Sequence, residues 1–181
     1  NFKLNDNKIR IQKELEQNKS IYIKVISPNF ELKYNLSEDE SLQRIKKLIR
    51  YSNIDKNEKT LFVWPEGALS GKYFFEFEKY KSLIKKNFSE NHLIVFGINT
   101  MNKAENKFYN SLVIVDHNLN KKFQYDKEKL VPFGEFLPFE KLSKKVGLKK
   151  ITQGYQSFSP GTERNPIYDI NKDINFIPLI C

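Results

Sequence analysis

Three side chains in this chain are of the types that cooperate in covalent catalysis: Glu66, Lys127 and Cys181. A free thiol titrates near pH ~8.5, so only a small thiolate fraction is nucleophilic at neutral pH. A nearby carboxylate can accept the thiol proton. A nearby ammonium can stabilise the thiolate and the oxyanion that forms when sulfur attacks a carbonyl carbon. These residue types therefore predict a cysteine enzyme.

Each of these residues has an ordinary interpretation when it is taken alone. Glu66 could be a solvated loop glutamate, since charged side chains are mostly exposed. Lys127 is one of 31 basic residues, and Cys181, the only cysteine, could be a small buried hydrophobe. One cysteine cannot form an internal disulfide, and with two histidines it does not complete a tetrahedral zinc site. We therefore expect neither a metal nor a cofactor.

The three candidates stand where predicted strands end. The apolar run 61–64 predicts a short strand that places Glu66 at its carboxyl end, where open α/β sheets gather reactive groups. Lys127 follows a predicted strand, and Cys181 follows the apolar run 174–180, which predicts a buried strand.

The loop after Lys127 has an unusual composition. Residues 130–138 contain two prolines, a glycine and Glu135. Proline and glycine fix a backbone shape instead of continuing a strand, so this loop should be ordered.

The remaining pattern predicts alternating strands and helices that would hold these residues. Ser37 and Glu40 form a capping box ahead of apolar residues at helical spacing, so a helix should start there. The turn residues 116–120 favour a hairpin, which would make the sheet mixed. The predicted elements are strands at 21–26, 61–64, 93–98, 108–115 and 122–125, helices from 38, around 79–88 and near 140–146, and a last hairpin that pairs 166–168 with 174–180.

Composition limits the kind of protein. The net charge is +9, but the lysines are scattered among acidic residues, so we do not expect nucleic-acid binding. No apolar run approaches the ~20 residues that a membrane-spanning helix needs. The chain begins Asn1-Phe2 and stops at Cys181. We therefore expect a piece of a longer protein, truncated at both ends and inactive alone, with a poorly defined lead-in at 1–20 and one domain at 21–181.

Several segments resemble the nitrilase (carbon–nitrogen hydrolase) superfamily, whose reactive set is Glu, Lys and Cys in that chain order. The closer resemblance is to the apolipoprotein N-acyltransferase branch, for which the block 130–135 is specific. It covers about residues 21–181. The segments that carry it are Trp64-Pro65-Glu66, Gly97-Ile98-Asn99, Tyr109-Asn110-Ser111, Tyr125 to Pro138 and Ile180-Cys181.

The resemblance implies a fold and a role for each residue. The fold would be the nitrilase-like four-layer α-β-β-α sandwich, truncated here after the nucleophile strand. Glu66 matches the general base, Lys127 the cationic stabiliser, Cys181 the nucleophile and Glu135 a second, supporting glutamate. Two departures are that Ser27 stands where glutamine is common, and that the Tyr-Glu pair that usually follows the cysteine lies beyond this chain.

By resemblance, the reaction is ping-pong. Cys181 would take an acyl chain from a membrane phospholipid as a thioester, and the N-terminal amine of a diacylglyceryl-modified apolipoprotein would then accept it. Water must be disfavoured as a competing acceptor, so we expect an apolar site near the membrane. The resemblance also implies a catalytic domain on the periplasmic face of the bacterial inner membrane, carried by transmembrane segments outside this chain.

Aromatic side chains near the motifs could line an acyl channel or form a lid against the bilayer. The alternative is ordinary packing in the core, since phenylalanine is usually buried. The hypothesis concerns the aromatic run 73–77 together with Phe133, Phe136 and Phe139. The residues singled out for substrate contact are Trp64, Phe74, Phe77, Phe133 and Phe136.

Two other functions stay open. One is a soluble nitrilase-type amidase that hydrolyses a small amide with the same three residues, and the other is a non-catalytic basic domain that binds anionic lipid. A serine triad through Ser111 or Ser159 is disfavoured because neither His92 nor His117 has a recognisable nucleophile setting. A dyad of Cys181 and His92 also stays open, although His92 opens a predicted strand and should have a structural or surface role.

Overall fold

A computed structural model describes residues 21–136, 138, 157–162, 168–170 and 174–180, with the backbone alone for 168–170 and 174–176. Four of the sequence predictions fall outside these residues: the lead-in at 1–20, Phe139, the helix near 140–146 and the position of Cys181.

The centre of the structure is a mixed five-stranded sheet in the order β1-β2-β3-β4-β5. β1, β2 and β3 are parallel, whereas β4 is antiparallel to both β3 and β5. The predicted strands and the hairpin at 116–120 are therefore confirmed. The strands are β1 (Tyr22–Val25), β2 (Thr60–Val63), β3 (His92–Asn102), β4 (Lys107–Asp116) and β5 (Lys121–Asp126).

Helix α1 (Glu38–Tyr51) forms where the capping box predicts it. The Glu40 N–H donates to Ser37 Oγ at 3.2 Å, and the Ser37 N–H donates to Glu40 Oε2 at 2.9 Å, so two amides at the helix start are satisfied. The apolar stripe of the helix packs against the sheet, and both Ile45 and Leu48 are fully buried.

The second helical region begins earlier than the sequence predicts. Helix α2 (Phe74–Phe77) leads through a 3₁₀ turn (Glu78–Tyr80) into helix α3 (Lys81–Asn87). Glu76 accepts from the Tyr73 N–H at 2.8 Å at the start of α2, and Phe74 and Phe77 are buried below it. Burial of these two rings stabilises a helical turn that the short aromatic run did not indicate.

Alternation along the strands separates the sheet into two faces. One face packs against the helices and holds the larger core cluster, which includes Ile94, Phe96, Val113 and Val115. The opposite face carries a smaller buried cluster of Leu61, Val95 and Ile114.

Strand β3 extends beyond its predicted end. It was predicted to stop at 98, but the antiparallel ladder with β4 continues to the pair Asn102–Lys107. Asparagine has low strand propensity, and at Asn99 and Asn102 the hairpin supplies hydrogen bonds that propensity does not anticipate. β2 ends at Val63, so the β3–β4 hairpin projects past it at the carboxyl edge of β2.

The last part of the described chain forms a small hairpin of β6 (Tyr168–Ile170) with β7 (Ile174–Phe176). This confirms the predicted hairpin with shifted bounds. The prediction of a buried strand up to residue 180 was wrong, because 177–180 is not a strand and Leu179 is 86% exposed. Pro178 has no N–H to donate to a strand ladder, which is one reason that β7 ends before it.

Candidate active site

Glu66 and Lys127 lie at the same edge of the sheet. β2 and β5 run in the same direction because β5 is antiparallel to β4, which is antiparallel to β3. Glu66 follows the end of β2 and Lys127 follows the end of β5, so the strand directions bring both to one edge. Two strands lie between them, which at a usual spacing of ~4.8 Å separates the two backbones by about 14 Å.

The two residues also lie on the same face. Asp126 pairs with Ser111, whose Oγ donates to Asp126 Oδ1 at 2.6 Å on the helical face, so the next residue, Lys127, points to the opposite face. Gly97 belongs to this opposite face because it is two residues from Val95. A Cβ atom at position 97 would lie 3.9 Å from Glu66 Cγ, so the Glu66 side chain lies over this face as well.

Lys127 is paired with Glu135. The Lys127 side chain is buried, and its Nζ lies 2.9 Å from Glu135 Oε2 and 3.1 Å from Oε1. A buried ammonium is costly unless it is compensated and hydrogen-bonded. Glu135 provides this compensation, so the structure brings the predicted supporting glutamate to Lys127.

Glu135 is held by further donors. The Val131 N–H donates to Glu135 Oε2 at 2.8 Å, and the Asn110 side chain donates to Oε1 at 2.9 Å. Burial by itself raises the pKa of Glu135, but these donors and the Lys127 ammonium outweigh it and hold the pKa below its ordinary value. The carboxylate is therefore ionised at neutral pH.

The loop that carries Glu135 closes on itself. The Glu135 N–H donates to the Val131 carbonyl at 2.8 Å, and the Phe133 N–H donates to the Phe136 carbonyl at 2.8 Å. Phe133 has φ +61°, a left-handed conformation that is uncommon outside glycine. The left-handed residue of this loop is thus Phe133, although Gly134 is its neighbour.

A segment at 158–161 braces Lys127 and Glu135 from outside the sheet. The Phe158 N–H donates to the Glu135 carbonyl at 2.9 Å, and the Gly161 N–H donates to the Lys127 carbonyl at 3.0 Å. A Cβ atom at position 161 would lie 2.1 Å from the Asp126 carbonyl oxygen, so only glycine allows this approach.

Glu66 lies beside a cavity. Its side chain is exposed, and the residue lines a cavity of ≈ 180 Å³ together with segment 27–32 and Arg44. Glu66 thus has solvent access, unlike the buried Lys127.

No protein-family model matches this chain. Apolipoprotein N-acyltransferase of Rickettsia typhi (strain ATCC VR-144 / Wilmington) is 30% identical to it over 164 residues, which cover 89% of this chain and 32% of that protein. Apolipoprotein N-acyltransferase of Rickettsia prowazekii (strain Madrid E) is 33% identical over 138 residues, which cover 74% of this chain and 27% of that protein.

The chain is therefore a homologue of curated apolipoprotein N-acyltransferases. It spans about a third of the length of these curated relatives.

One solved structure supports the fold of this apolipoprotein N-acyltransferase homologue. Glutamine-dependent NAD+ synthetase from Acinetobacter baumannii in complex with ADP matches at a TM-score of 0.50 and 13% identity, over 81% of this chain and 25% of that chain. Carbon–nitrogen hydrolase from Helicobacter pylori G27 aligns at a TM-score of 0.43 and 17% identity, over 61% of this chain and 40% of that chain. At these identities the likeness concerns the fold alone. The mixed α/β nitrilase-like fold is confirmed for the five-stranded sheet and its helical layer.

Three of the aromatic residues predicted to contact substrate lie in the core of this apolipoprotein N-acyltransferase homologue. Trp64 is 2% exposed, and its Nε1–H donates to Ser52 Oγ at 3.2 Å. Phe77 packs on Phe96 with ring centroids 4.9 Å apart, and Phe74 is buried in the same cluster. The burial of these three rings in the larger core cluster favours core packing, the alternative that the sequence left open for them.

The other two predicted aromatic residues lie near the charged pair. Phe133 is 39% exposed and Phe136 is half-buried, and both are in the loop that holds Glu135. Phe75, which belongs to the aromatic run 73–77, is 52% exposed and stacks on Tyr73 with centroids 5.5 Å apart.

Two residues of the serine alternative, Ser111 and His92, make hydrogen bonds away from the charged pair. Ser111 is fully buried and bonds to Thr100 Oγ1 at 2.6 Å on the helical face. His92 is also fully buried, with Nδ1 accepting from the Ser89 N–H at 3.0 Å and Nε2 lying 2.9 Å from the Asp55 carbonyl. Burial holds the pKa of His92 below its ordinary value. The structural role expected for His92 is therefore confirmed.

Sequence reasoning gave no role to Asn110 or Gly161. The Asn110 carbonyl accepts from the Lys127 N–H at 2.8 Å while its amide donates to Glu135, so one residue ties both members of the pair. Asn110 stood inside the segment Tyr109-Asn110-Ser111 that carried the resemblance, which was the signal available. Gly161 follows Pro160, and a Pro-Gly turn does not by itself indicate contact with a lysine.

Within the described ranges, no group of three or more His, Cys, Asp or Glu side chains could hold a metal ion. None of the helices there is long and apolar enough to span a bilayer.

Proposed function

We propose that the full-length protein that contains this chain transfers an acyl chain from a membrane phospholipid, through a thioester on Cys181, to the N-terminal amine of a diacylglyceryl-modified apolipoprotein. One observation carries the proposal: a buried Lys127–Glu135 pair shares one edge and one face of the sheet with Glu66, in a homologue of curated apolipoprotein N-acyltransferases. The proposed location is the periplasmic face of the bacterial inner membrane, which rests on the family alone.

In the first half-reaction Glu66 accepts the thiol proton of Cys181, and Sγ attacks the carbonyl carbon of the phospholipid ester. The carbonyl electron pair moves onto its oxygen, and the Lys127 ammonium stabilises that oxyanion. When the oxyanion collapses, the ester C–O bond breaks and the leaving alkoxide takes the proton from Glu66. The products are a thioester on Cys181 and a lysophospholipid.

In the second half-reaction the N-terminal amine of the apolipoprotein attacks the thioester carbonyl carbon. Glu66 accepts a proton from the amine, the C–S bond breaks, and the proton passes to sulfur. The products are an amide and the free thiol, so the enzyme returns to its starting state.

Glu135 supports this chemistry through Lys127. Its two oxygens lie 2.9 and 3.1 Å from Lys127 Nζ, which keeps a buried ammonium compensated and aimed. Such preorganised charge acts on a developing oxyanion without reorganisation during the reaction.

For the acyl chain we propose contacts with exposed rings at the same edge. The candidates are Phe75 and Phe133, which are 52% and 39% exposed. Tyr73, on which Phe75 stacks, forms a β-bridge with Asn99 of β3, and Asn99 pairs with Asn110. This connection brings the exposed ring toward the residues that hold Glu135.

The test uses the full-length protein in phospholipid membranes. Incubation with phospholipid should add the mass of one acyl chain to Cys181, and addition of a diacylglyceryl-modified peptide should remove it and yield an N-acylated peptide. C181S should show neither product. Release of free fatty acid with turnover of small amides would favour an amidase. A folded protein without any adduct would favour a domain that only binds anionic lipid, and either result would refute the proposal.

A pair of serine substitutions tests the acyl contact. F75S should slow acyl loading several-fold without changing the thermal midpoint, because Phe75 is exposed. F77S should lower the unfolding free energy by about 3–5 kcal/mol, since Phe77 is in the core. Acyl-loading rates and melting curves of the full-length protein distinguish them, and normal loading by F75S would remove Phe75 from the site.

A further inference from the structure

We propose that Arg44 is a positioning residue for Glu66: its guanidinium ties the turn that carries Glu66 to the loop across the cavity and so sets the direction of the carboxylate. This inference rests on the proposed function, in which Glu66 is the general base.

The guanidinium of Arg44 bonds to the backbone on both sides of the cavity. Its Nη1 donates to the carbonyls of Gly67 and Ala68, each at 3.3 Å, and these residues directly follow Glu66. Its Nη2 donates to the Glu31 carbonyl at 2.7 Å on the other side. One side chain thus joins two loops that are far apart in sequence.

The two loops have other restraints, but among the side-chain hydrogen bonds described for residues 27–32 and 66–70, those of Arg44 alone join one loop to the other. Ser70 Oγ donates to the Gly67 carbonyl at 2.7 Å within the turn. The Phe30 ring lies under the guanidinium, with its centroid 4.7 Å from Arg44 Cζ. Stacking on Phe30 and the three carbonyl contacts fix the orientation of the guanidinium. The guanidinium in turn restrains both loops.

Arginine suits this position better than lysine. A planar guanidinium offers several donors in a fixed geometry and stacks on an aromatic face, whereas an ammonium is a point charge on a flexible stem. The helix that carries it is also rigid, because α1 is capped at its start and buried along one face. The turn after β2 is therefore tied to a rigid element through Arg44.

The position of Glu66 depends on this turn. Glu66 is exposed and lines the cavity of ≈ 180 Å³ together with Arg44, so little packing restrains its side chain. A shift of about 1 Å in a catalytic group can cost up to about 100-fold in rate. Release of the turn should therefore slow proton transfer to Glu66 without removing any group that contacts substrate.

The experiment measures the rate of acyl addition to Cys181 in the full-length protein, at saturating phospholipid, for four proteins: wild type, R44K, E66Q and the double variant R44K/E66Q. R44K should slow acylation by about ten- to hundred-fold with an unchanged half-saturating phospholipid concentration. In the E66Q background R44K should cause no further loss, because Arg44 acts through Glu66. R50K is the matched control, since Arg50 is on the same helix and contacts only the Tyr51 ring among the interactions described for it.

A purely structural role for Arg44 would give equal losses in both backgrounds, and that result, or no loss in R44K, would overturn the inference. If R44K does not accumulate, R44Q is compared in the same cycle under the same criteria. Failure of the proposed function gives a different result, because wild type itself would then form no adduct.

Discussion

At the scale of single residues, the site depends on a lysine that is buried only because its charge is compensated. Lys127 is 5% exposed, and Glu135 accepts hydrogen bonds from the ammonium, the Asn110 side chain and the Val131 N–H. Both oxygens of an ionised carboxylate accept hydrogen bonds. A glutamine side chain keeps one accepting oxygen, and its NH₂ group would face a donor instead of accepting from it. The residue therefore tolerates no neutral replacement of the same shape.

E135Q tests this dependence. We expect the unfolding free energy to fall by about 3 kcal/mol, because the buried ammonium loses its partner, and acyl transfer to be lost. Melting curves and adduct formation on Cys181 measure both effects in the full-length protein. E105Q is the control, since Glu105 is half exposed and pairs with Lys107 at the surface, where an ion pair contributes little. Unchanged stability of E135Q would contradict the role given to the pair.

His92 predicts a pH dependence of stability. Burial lowers the pKa of His92, so the folded state keeps the ring neutral at a pH where the unfolded chain already binds a proton. Stability should therefore be complete above the ordinary value of ~6.5 and should decrease as the pH falls below it. The thermal midpoint should fall in wild type as the pH is lowered from about 7.5 through about 6.5 to about 5.5, a range of about one unit to either side of the ordinary value. It should fall less in H92Q. Parallel curves for the two proteins would refute this.

At the scale of elements, the charged pair is set by contacts between segments that are distant in the chain. β4 contributes Asn110, and the loop after β5 contributes Glu135. The segment 158–161 donates backbone hydrogen bonds to the carbonyls of Glu135 and Lys127. No one of these elements could hold Lys127 alone. The backbone around Lys127 is thus determined by the packing of three segments.

Gly161 is the point at which this packing is tightest. G161A should displace the strand end at Asp126, because a Cβ would lie 2.1 Å from the Asp126 carbonyl oxygen. Displacement of a catalytic group lowers the reaction rate, so acyl transfer should fall by at least about tenfold. G134A is the matched control in the adjacent loop, where a Cβ would meet Val131 Cγ1 at an ordinary 3.4 Å. Acylation rates of the two variants are compared, and equal rates would show that segment 158–161 does not position Lys127.

At the scale of the whole molecule, the sheet divides the described structure into a packed face and a reactive face. The helices cover one face, where the larger apolar cluster lies. The edge of the other face carries Lys127, Asn110 and the Glu66 side chain. The net charge of +9 adds a long-range attraction for anionic surfaces.

This charge predicts a salt effect that depends on the lipid. Acylation of Cys181 from vesicles of an anionic phospholipid should slow several-fold when the salt concentration rises from about 50 mM to about 500 mM, because the screening length shortens. Acylation from vesicles of a zwitterionic phospholipid should change little and is the control. The same salt response with both lipids would mean that the net charge has no part in substrate encounter.

Much of this could be read from local pattern. The capping box at Ser37, the alternating strands and the turn at 116–120 act through neighbours in sequence, and the structure confirms them. The family resemblance gave a role to both Lys127 and Glu135, and the structure shows that the two side chains form a pair. Residue types and spacing carry this information because hydrogen bonding and periodicity within an element are local.

Long-range packing decided the rest. In the sequence, Trp64, Phe74 and Phe77 cannot be distinguished from aromatic residues that are exposed. They are buried because the folded sheet and helices surround them. The extension of β3, the left-handed backbone at Phe133 and the approach of Gly161 to Asp126 all depend on segments that are distant in sequence. A linear pattern cannot encode such contacts, because each is stabilised by a surface that exists only after the chain has folded.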